Sequence, residues 1–314
     1  MMLARVADSL YWLGRYLERA EHLSRLSEVM LTATLDHTEA AEQAAHMALS
    51  AVGDTDIARA AQPYEAAKAL VLDRADPNSV VISLARAREN ARQVRDQLTS
   101  ETWERLNMLF LKVTAEDADE DFHAGASAWL HEIIADLHLF KGAADATMSH
   151  GEGWRFLMLG AYIERAQLIA RLLETCFGDG EAHKPTDHIA LMSLLRMACA
   201  LEPYLRVYTA EMEPRLILEF LLLNEDFPRS IRFATGQIEE DLDGIASQTG
   251  ADVRHSPARL AGRLNARLRY ADIDELRAEG ATALLETILD ECAAIHQAIY
   301  DTFVAYPLEQ RLPA

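Results

Sequence analysis

The chain has 314 residues, half of them hydrophobic, and a formal net charge of −20. This charge would repel a phosphate backbone, so nucleic-acid binding is not predicted. No stretch approaches the roughly 18 uninterrupted apolar residues of a membrane-spanning helix, and the N-terminus lacks a signal-peptide core. We therefore expect a cytoplasmic protein with no membrane segment.

Glycine and proline are scarce, at 14 and 9 residues, and alternating β-branched segments are absent, which favours an all-α fold. Cys176, Cys199 and Cys292 lack metal-ligand spacing and are expected to be buried free thiols. There is no phosphate-binding glycine loop, and the one Glu-x-x-His match, at Glu120, falls in an acidic run. The sequence thus predicts no cofactor and no metal, and no catalytic residue can be named.

The first helix is predicted from near Leu3 into residues 32–37. It has a broad apolar arc and a polar strip that contains Arg15 and Glu18. Arg19 leaves that strip and points towards aromatic and apolar neighbours. Because adjacent residues diverge by about 100° on a helix, Glu18 and Arg19 cannot pair with each other.

Further helices are predicted near 39–52 and 64–72, followed by a turn at 76–79 and a helix over 80–98. On this last helix Arg88, Arg92 and Arg95 should form a row beside Glu89. The row is either a solvated face or a docking strip for an anion. Thr99 or Ser100 is predicted to cap the next helix.

Residues 116–121 include five acids and are interpreted as a solvated linker. A helix over 122–149 follows, and the glycines at 151 and 153 open another that carries Glu164 and Arg165 and ends at 178–180. The remaining helices are predicted near 187–210 and 214–223, from 227 onwards past Arg229, and near 256–270 and 280–306.

The segment 13–20 returns at 159–166, and nine of the sixteen positions from 13 to 28 are identical at this offset of 146 residues. A shorter echo relates Pro77 and Ser79 to Pro228 and Ser230 at an offset of 151. We predict a multi-helix bundle of two duplicated halves, 1–120 with Glu18-Arg19 and 121–314 with Glu164-Arg165, packed as one unit.

Arg165 is surrounded at helical spacing by apolar and aromatic residues, and a buried arginine without a partner is costly. If a two-fold axis relates the halves, a contact from one helix to the other is repeated in reverse. We therefore predict that Arg165 pairs with Glu18 and that Arg19 pairs with Glu164. The alternative is that these groups stay apart and bind the charges of a ligand.

The segments 10–21, 87–95, 153–157 and 227–230, with the two Glu-Arg dipeptides, resemble the alpha-E family of bacterial all-helical proteins. Its members are typically encoded beside, or fused to, circularly permuted ATP-grasp proteins and transglutaminase-like peptidases. The resemblance implies a role in peptide or amide-bond formation or processing. Ala161 stands where the first copy has Arg15, so the second half has lost one contact if that arginine binds something in each half.

Two functions follow from this resemblance. The favoured one is a helical partner that binds an ATP-grasp ligase, a transglutaminase-like protein or a peptide substrate through its arginine-rich faces. The alternative is an enzyme that forms or modifies amide bonds with Glu18, Glu89 or Glu164. The candidate binding residues are Arg15, Glu18, Arg19, Arg88, Glu89, Arg92, Glu164, Arg165 and Arg229.

Overall fold

The computed structural model describes residues 2–34, 38–54, 56–178, 188–209, 211–249, 257–272 and 281–305. These residues form fourteen α-helices and no strand, which confirms the all-α prediction. The helices are α1 (Ala4–Ala33), α2 (Thr38–Ala51), α3 (Ile57–Ala60), α4 (Pro63–Leu72), α5 (Val80–Gln93), α6 (Ser100–Thr114), α7 (Ala118–Thr147), α8 (Glu152–Phe177), α9 (His188–Met197), α10 (Leu201–Tyr208), α11 (Pro214–Leu223), α12 (Ile231–Thr249), α13 (Pro257–Arg269) and α14 (Ala281–Ile299).

The two long Glu-Arg helices, α1 and α8, pack against each other at the centre of the fold. At their crossing, a Cβ atom on Gly14 would overlap the carbonyl oxygen of Leu157, and one on Gly160 would overlap that of Tyr11. These two contacts are reciprocal, because 14 and 160, like 11 and 157, are 146 residues apart. The repeated glycines thus let the two backbones approach each other closely.

The other helices surround this pair. Helices α4, α5 and α7 pack on α1, and α12 and α14 pack on α8. Helix α6 bridges α5 and α7, and α13 covers α12 and α14. Helix α7 thus lies beside the first Glu-Arg helix, and α12 lies beside the second.

The predicted helix starts after the two Pro-containing turns are confirmed. The hydroxyl of Ser79 accepts a hydrogen bond from the Ile82 amide at 3.4 Å, and that of Ser230 accepts one from the Phe233 amide at 3.0 Å. Thr99 caps α6 in the same way. Each hydroxyl satisfies an amide that has no partner within its helix.

Three predicted elements were wrong in detail. The helix predicted over 187–210 is divided into α9 and α10 by Cys199, whose φ is 55°. Pro203 explains the division, since proline is tolerated in the first turn of α10 but not inside a continuous helix. Helix α5 ends at Gln93, and a 3₁₀ turn follows at Arg95–Gln97, so Arg95 is not on the same helix as Arg88, although the guanidinium carbons of both lie within 5.7 Å of the centre of the Trp103 ring.

The third is the acidic segment, which is not simply a linker. Its last residues form the first turn of α7, where carboxylates favour a helix N-terminus, and Asp119 pairs with Lys68 at 2.8 Å. The division into halves at this segment stays a prediction. No helix among the described residues is long and apolar enough to cross a membrane.

The cysteine prediction is confirmed for Cys176 and Cys292, which are buried free thiols, but Cys199 is only partly buried.

Candidate functional site

The centre of the site is a buried ion pair between the two Glu-Arg helices. Arg165 donates from Nε to Oε1 of Glu18 and from Nη2 to Oε2, both at 2.8 Å. Its Nη1 donates to the carbonyl oxygen of Pro228 at 2.9 Å. Only 1% of Glu18 and 8% of Arg165 are exposed. The predicted pair is therefore confirmed, and the alternative in which the two groups stay apart is wrong.

The reciprocal pair is also present. Arg19 donates from Nε to Oε1 of Glu164 at 2.7 Å, as predicted, and Arg15 donates from Nε to Oε2 at 2.6 Å. Arg15 also donates from Nη2 to the amide oxygen of Gln167 at 2.7 Å. Glu164 thus has an arginine on each of its oxygens.

Lys141 of α7 takes the place that an arginine at position 161 would occupy. Its Nζ donates to Oε2 of Glu18 at 2.7 Å and to Oε2 of Glu21. Glu18 and Glu21 lie 146 residues before Glu164 and Gln167, the two acceptors of Arg15. Ala161 thus lacks the contacts that Arg15 makes in the first copy, and Lys141 of another helix supplies the cation in its place.

Arg229 completes the cluster from the turn before α12. It lies 3.4 Å from Oε1 of Glu18 and donates to Oε1 of Glu21. The same oxygen of Glu21 lies 3.0 Å from Nε2 of His138. The network thus consists of two clusters: Glu18 and Glu21 with Lys141, Arg165 and Arg229, and Glu164 with Arg15 and the partly exposed Arg19.

The cations keep these carboxylates ionised. Burial alone would raise the pKa of Glu18, but Arg165, Lys141 and Arg229 lower it well below its usual value. Burial alone would also raise the pKa of Glu164, but Arg15 and Arg19 outweigh this effect and lower that pKa. A carboxylate held ionised in this way is a poor general acid or base at neutral pH, since it has no tendency to take up a proton.

The remaining candidates lie outside the network. Arg88 donates to Oδ1 of Asn107 at 2.8 Å, and its guanidinium carbon lies 4.6 Å from the centre of the Phe110 ring. Glu89 and Arg92 form an exposed pair on α5 with an N–O distance of 2.7 Å. The structure therefore does not bring Arg88, Glu89 and Arg92 together with the Glu-Arg motifs. Whether any candidate residue binds a ligand stays a prediction.

A cavity of about 490 Å³ opens beside Arg165, and we name it the Ala161 cavity. Helices α1, α7, α8 and α12 and the turn before α8 provide its walls. On its α12 side, Arg155 donates from Nη1 to Oδ1 of Asp241 at 3.2 Å. The residues that line the cavity include Lys141, Asp145, His150, Trp154, Arg155, Leu157, Met158, Ala161, Tyr162, Arg165, Glu240 and Asp241.

Asp241 differs from the carboxylates of the network. It is only 8% exposed, and among the described residues its one ion pair is with Arg155. Burial, helped by the neighbouring Glu240 carboxylate, raises the pKa of Asp241 to about 7, against the opposing effect of Arg155. A buried carboxylate with a raised pKa that lines a cavity is a feature of many binding and catalytic sites.

Sequence reasoning missed Glu21, Lys141, Arg155 and Asp241. The 146-residue offset could have revealed Glu21, because Glu21 aligns with Gln167, and each of the two follows the repeated Glu-Arg dipeptide closely. Nothing in the spacing of Lys141 or Asp241 indicates their role, since neither residue is among the identical positions of the two echoes. Among the described residues, no group of three or more His, Cys, Asp or Glu side chains could hold a metal ion.

Comparison with known proteins gives one family and several relatives. The model of the Alpha-E family, described as a predicted alpha-helical domain with a conserved ER motif, matches residues 2–304. An uncharacterised protein of Mycobacterium bovis is 27% identical over 322 aligned residues, which cover 95% of this chain and 36% of that protein. An uncharacterised protein of Mycobacterium tuberculosis, strain H37Rv, is 26% identical with the same coverage.

The chain thus spans about a third of the length of these curated relatives. No solved structure matches it. The two Glu-Arg dipeptides, whose side chains pair across the α1–α8 interface, fall inside the region that the family model matches. This chain belongs to the Alpha-E family, and its Glu-Arg motifs are the residues that hold its two central helices together.

Proposed function

We propose that this chain is a helical binding protein that acts with a circularly permuted ATP-grasp ligase in peptide or amide-bond formation. The observation that carries the proposal is the Ala161 cavity, which has charged groups of both signs and the aromatic rings of Trp154 and Tyr162. Such a lining suits a peptide or amino acid, which combines charge with apolar surface. The activating ATP site would belong to the partner.

Two further observations support a binding role. The carboxylates of Glu18 and Glu164 are fully used by cations, so they hold the scaffold rather than perform chemistry. The curated relatives are almost three times as long as their matched region, which leaves room in them for other domains. A helical domain that works beside another unit fits this arrangement.

An enzyme acting alone is the second candidate, and only one residue favours it. Asp241 lines the cavity with a raised pKa, as a general acid or base would require, whereas Glu18, Glu89 and Glu164 all have lowered pKa values. A transglutaminase-like protein is the other candidate partner, and the same experiment can include it.

The test is co-expression of the tagged chain with a circularly permuted ATP-grasp protein. Complex formation is followed by size-exclusion chromatography, ATP consumption by release of ADP or AMP, and the product by mass spectrometry. We expect a complex, and a new amide product only when both proteins are present. The same product at the same rate from the ATP-grasp protein alone, without a complex, would contradict the proposal. Product from this chain alone would favour the enzyme.

A further inference from the structure

The Ala161 cavity corresponds in position to a part of the first copy that is filled by side chains. Three of its wall residues, Leu157, Met158 and Ala161, lie 146 residues after Tyr11, Trp12 and Arg15. Each is smaller than its counterpart. The cavity therefore lies where the second copy has lost a tyrosine, a tryptophan and an arginine.

In the first copy this space holds a cation against aromatic rings. The guanidinium carbon of Arg15 lies 5.0 Å from the centre of the Trp12 ring and 5.8 Å from that of Tyr11. Such cation–π contacts are favourable when water is excluded. In the second copy Lys141 supplies the positive charge that pairs with Glu18 and Glu21. The volume that Tyr11, Trp12 and Arg15 fill in the first copy stays open.

The wall opposite Ala161 contains a buried acid that is short of cations. Among the described residues, Glu18 has three cations within 3.4 Å and Glu164 has two within 2.7 Å. Asp241 has only Arg155, through a single bond of 3.2 Å. A buried carboxylate attracts a further cation strongly, because the surrounding protein screens charge less than water does.

The charges around Asp241 favour a cationic ligand. Lys141 and Arg165 are already paired with Glu18, and Arg155 is paired with Asp241 itself. The acids Asp145 and Glu240 lie exposed at the mouth of the cavity, and the chain as a whole is strongly acidic. The aromatic rings of Trp154, stacked on His150 at 4.3 Å, and of Tyr162 complete the lining.

We infer that the Ala161 cavity is a binding site for an organic cation, an ammonium or guanidinium group of a peptide or amino acid, with Asp241 as its counter-ion. The cation lies beside Asp241, in the volume left by the smaller side chains at 157, 158 and 161, whereas Lys141 takes the place of the Arg15 charge itself. This inference rests on the proposed function and deepens it, because it names the amine component of the amide bond as the ligand of this chain.

The test uses the isolated chain, so that a negative result contradicts this inference without contradicting the proposed partnership with the ligase. Four probes are titrated by calorimetry at about pH 8, where Asp241 with its pKa of about 7 is mainly ionised. Triglycine amide offers a peptide N-terminus, and N-acetyl-lysine amide and N-acetyl-arginine amide offer side-chain cations. N-acetyl-triglycine amide is the neutral control.

We expect at least one cationic probe to bind with a dissociation constant on the order of 0.1–1 mM, and the neutral probe not to bind. The cationic probe that binds best shows whether the ligand's cation is a peptide N-terminus, a lysine side chain or an arginine side chain. Equal binding of the charged and neutral probes, or no binding of any probe at about 10 mM, would overturn the inference.

Variants then locate the site. Asp241→Asn should weaken binding of the cation about tenfold or more, since it removes the counter-ion without changing the shape. Asp243→Asn, the matched control at an exposed position of the same helix, should change binding less than about threefold because Asp243 does not line the cavity and water screens its charge. Ala161→Met should weaken binding by filling the cavity. Circular dichroism and thermal unfolding confirm that each variant is folded. Equal effects of the two Asp→Asn changes would place the site elsewhere.

Discussion

Arginine and glutamate meet in this chain in two very different settings. Arg165 and Glu18 are buried and joined by two hydrogen bonds of 2.8 Å, whereas Arg92 and Glu89 pair in water on the surface of α5. Burial removes both groups of the first pair from water, so each depends on the other. The exposed pair loses little when it breaks, because water solvates both of its groups.

Arg165→Met should lower the free energy of unfolding by about 3–5 kcal/mol, because it leaves the Glu18 carboxylate with fewer cations in a buried place. Adding Glu18→Gln should recover part of the loss. Arg92→Met, the matched control, should leave stability unchanged. Urea unfolding of the four proteins measures these values. An equal effect of the Arg165 and Arg92 changes would show that the buried pair has no special role.

The raised pKa of Asp241 makes a prediction about pH. In the unfolded chain this carboxyl ionises near its ordinary value of 3.8, but in the folded protein it ionises near 7. Between these values the folded state binds the extra proton, so its stability falls as pH rises through this window. Asp241→Asn removes this dependence. From pH 5 to pH 8 the wild type should therefore lose on the order of 2–4 kcal/mol relative to the variant.

Thermal or urea unfolding at several pH values between these limits measures the difference. Arg155, Glu240 and Tyr162 are the groups that interact electrostatically with Asp241. His150→Gln serves as a control, because this imidazole also lines the cavity. Parallel stability curves for wild type and Asp241→Asn over the whole range would contradict the raised pKa.

At this scale the sequence predicted the buried pairs but not the cavity. The repeat of Glu-Arg at a fixed offset, together with the apolar surroundings of Arg165, was sufficient to predict both the pairs and their exchange between helices. Lys141 and Asp241 could not be predicted, because their positions depend on how α7 and α12 pack on the central pair. No local pattern encodes that packing.

At the scale of elements, the crossing of α1 and α8 depends on two glycines. Gly14→Ala and Gly160→Ala should each destabilise the protein by about 3 kcal/mol or more, because the new methyl group overlaps a backbone oxygen that cannot move alone. Gly142→Ala on α7 is the control, since nothing lies within 4 Å of its added Cβ.

The control change should stabilise the helix by up to about 1 kcal/mol, because alanine favours the helix more than glycine does. Thermal unfolding distinguishes the two outcomes. Tolerance of alanine at both central positions would mean that the two backbones do not touch in solution.

Most helices could be predicted from their apolar periodicity and their capping residues. The starts at Ser79, Thr99 and Ser230 follow from hydroxyl groups that accept from the first turn. The division between α9 and α10 was missed, although Pro203 indicated that a continuous helix could not pass through this position. An apolar pattern that continues through a break cannot by itself show that the backbone has turned.

For the whole molecule, the isolated chain is expected not to bind ATP with micromolar affinity. Its sequence has no glycine-rich phosphate loop, and Asp145 and Glu240 at the mouth of its cavity would repel a triphosphate. Calorimetric titration with Mg-ATP checks this, with the ATP-grasp protein as the positive control. A micromolar dissociation constant for the chain alone would contradict the division of labour that we propose.

The exchange of charges between α1 and α8 also constrains the order in which the protein is made. Glu18 and Glu21 leave the ribosome before their arginine partners, because Arg165 follows Glu18 by 147 residues and Arg229 by 211. At about 5–20 residues per second, these acids wait roughly 7–42 s for their arginines. During this time the nascent first helix cannot bury its acidic strip. It must stay in water or be held by a chaperone, so α1 reaches its final packing only after α8 and the turn before α12 have been made.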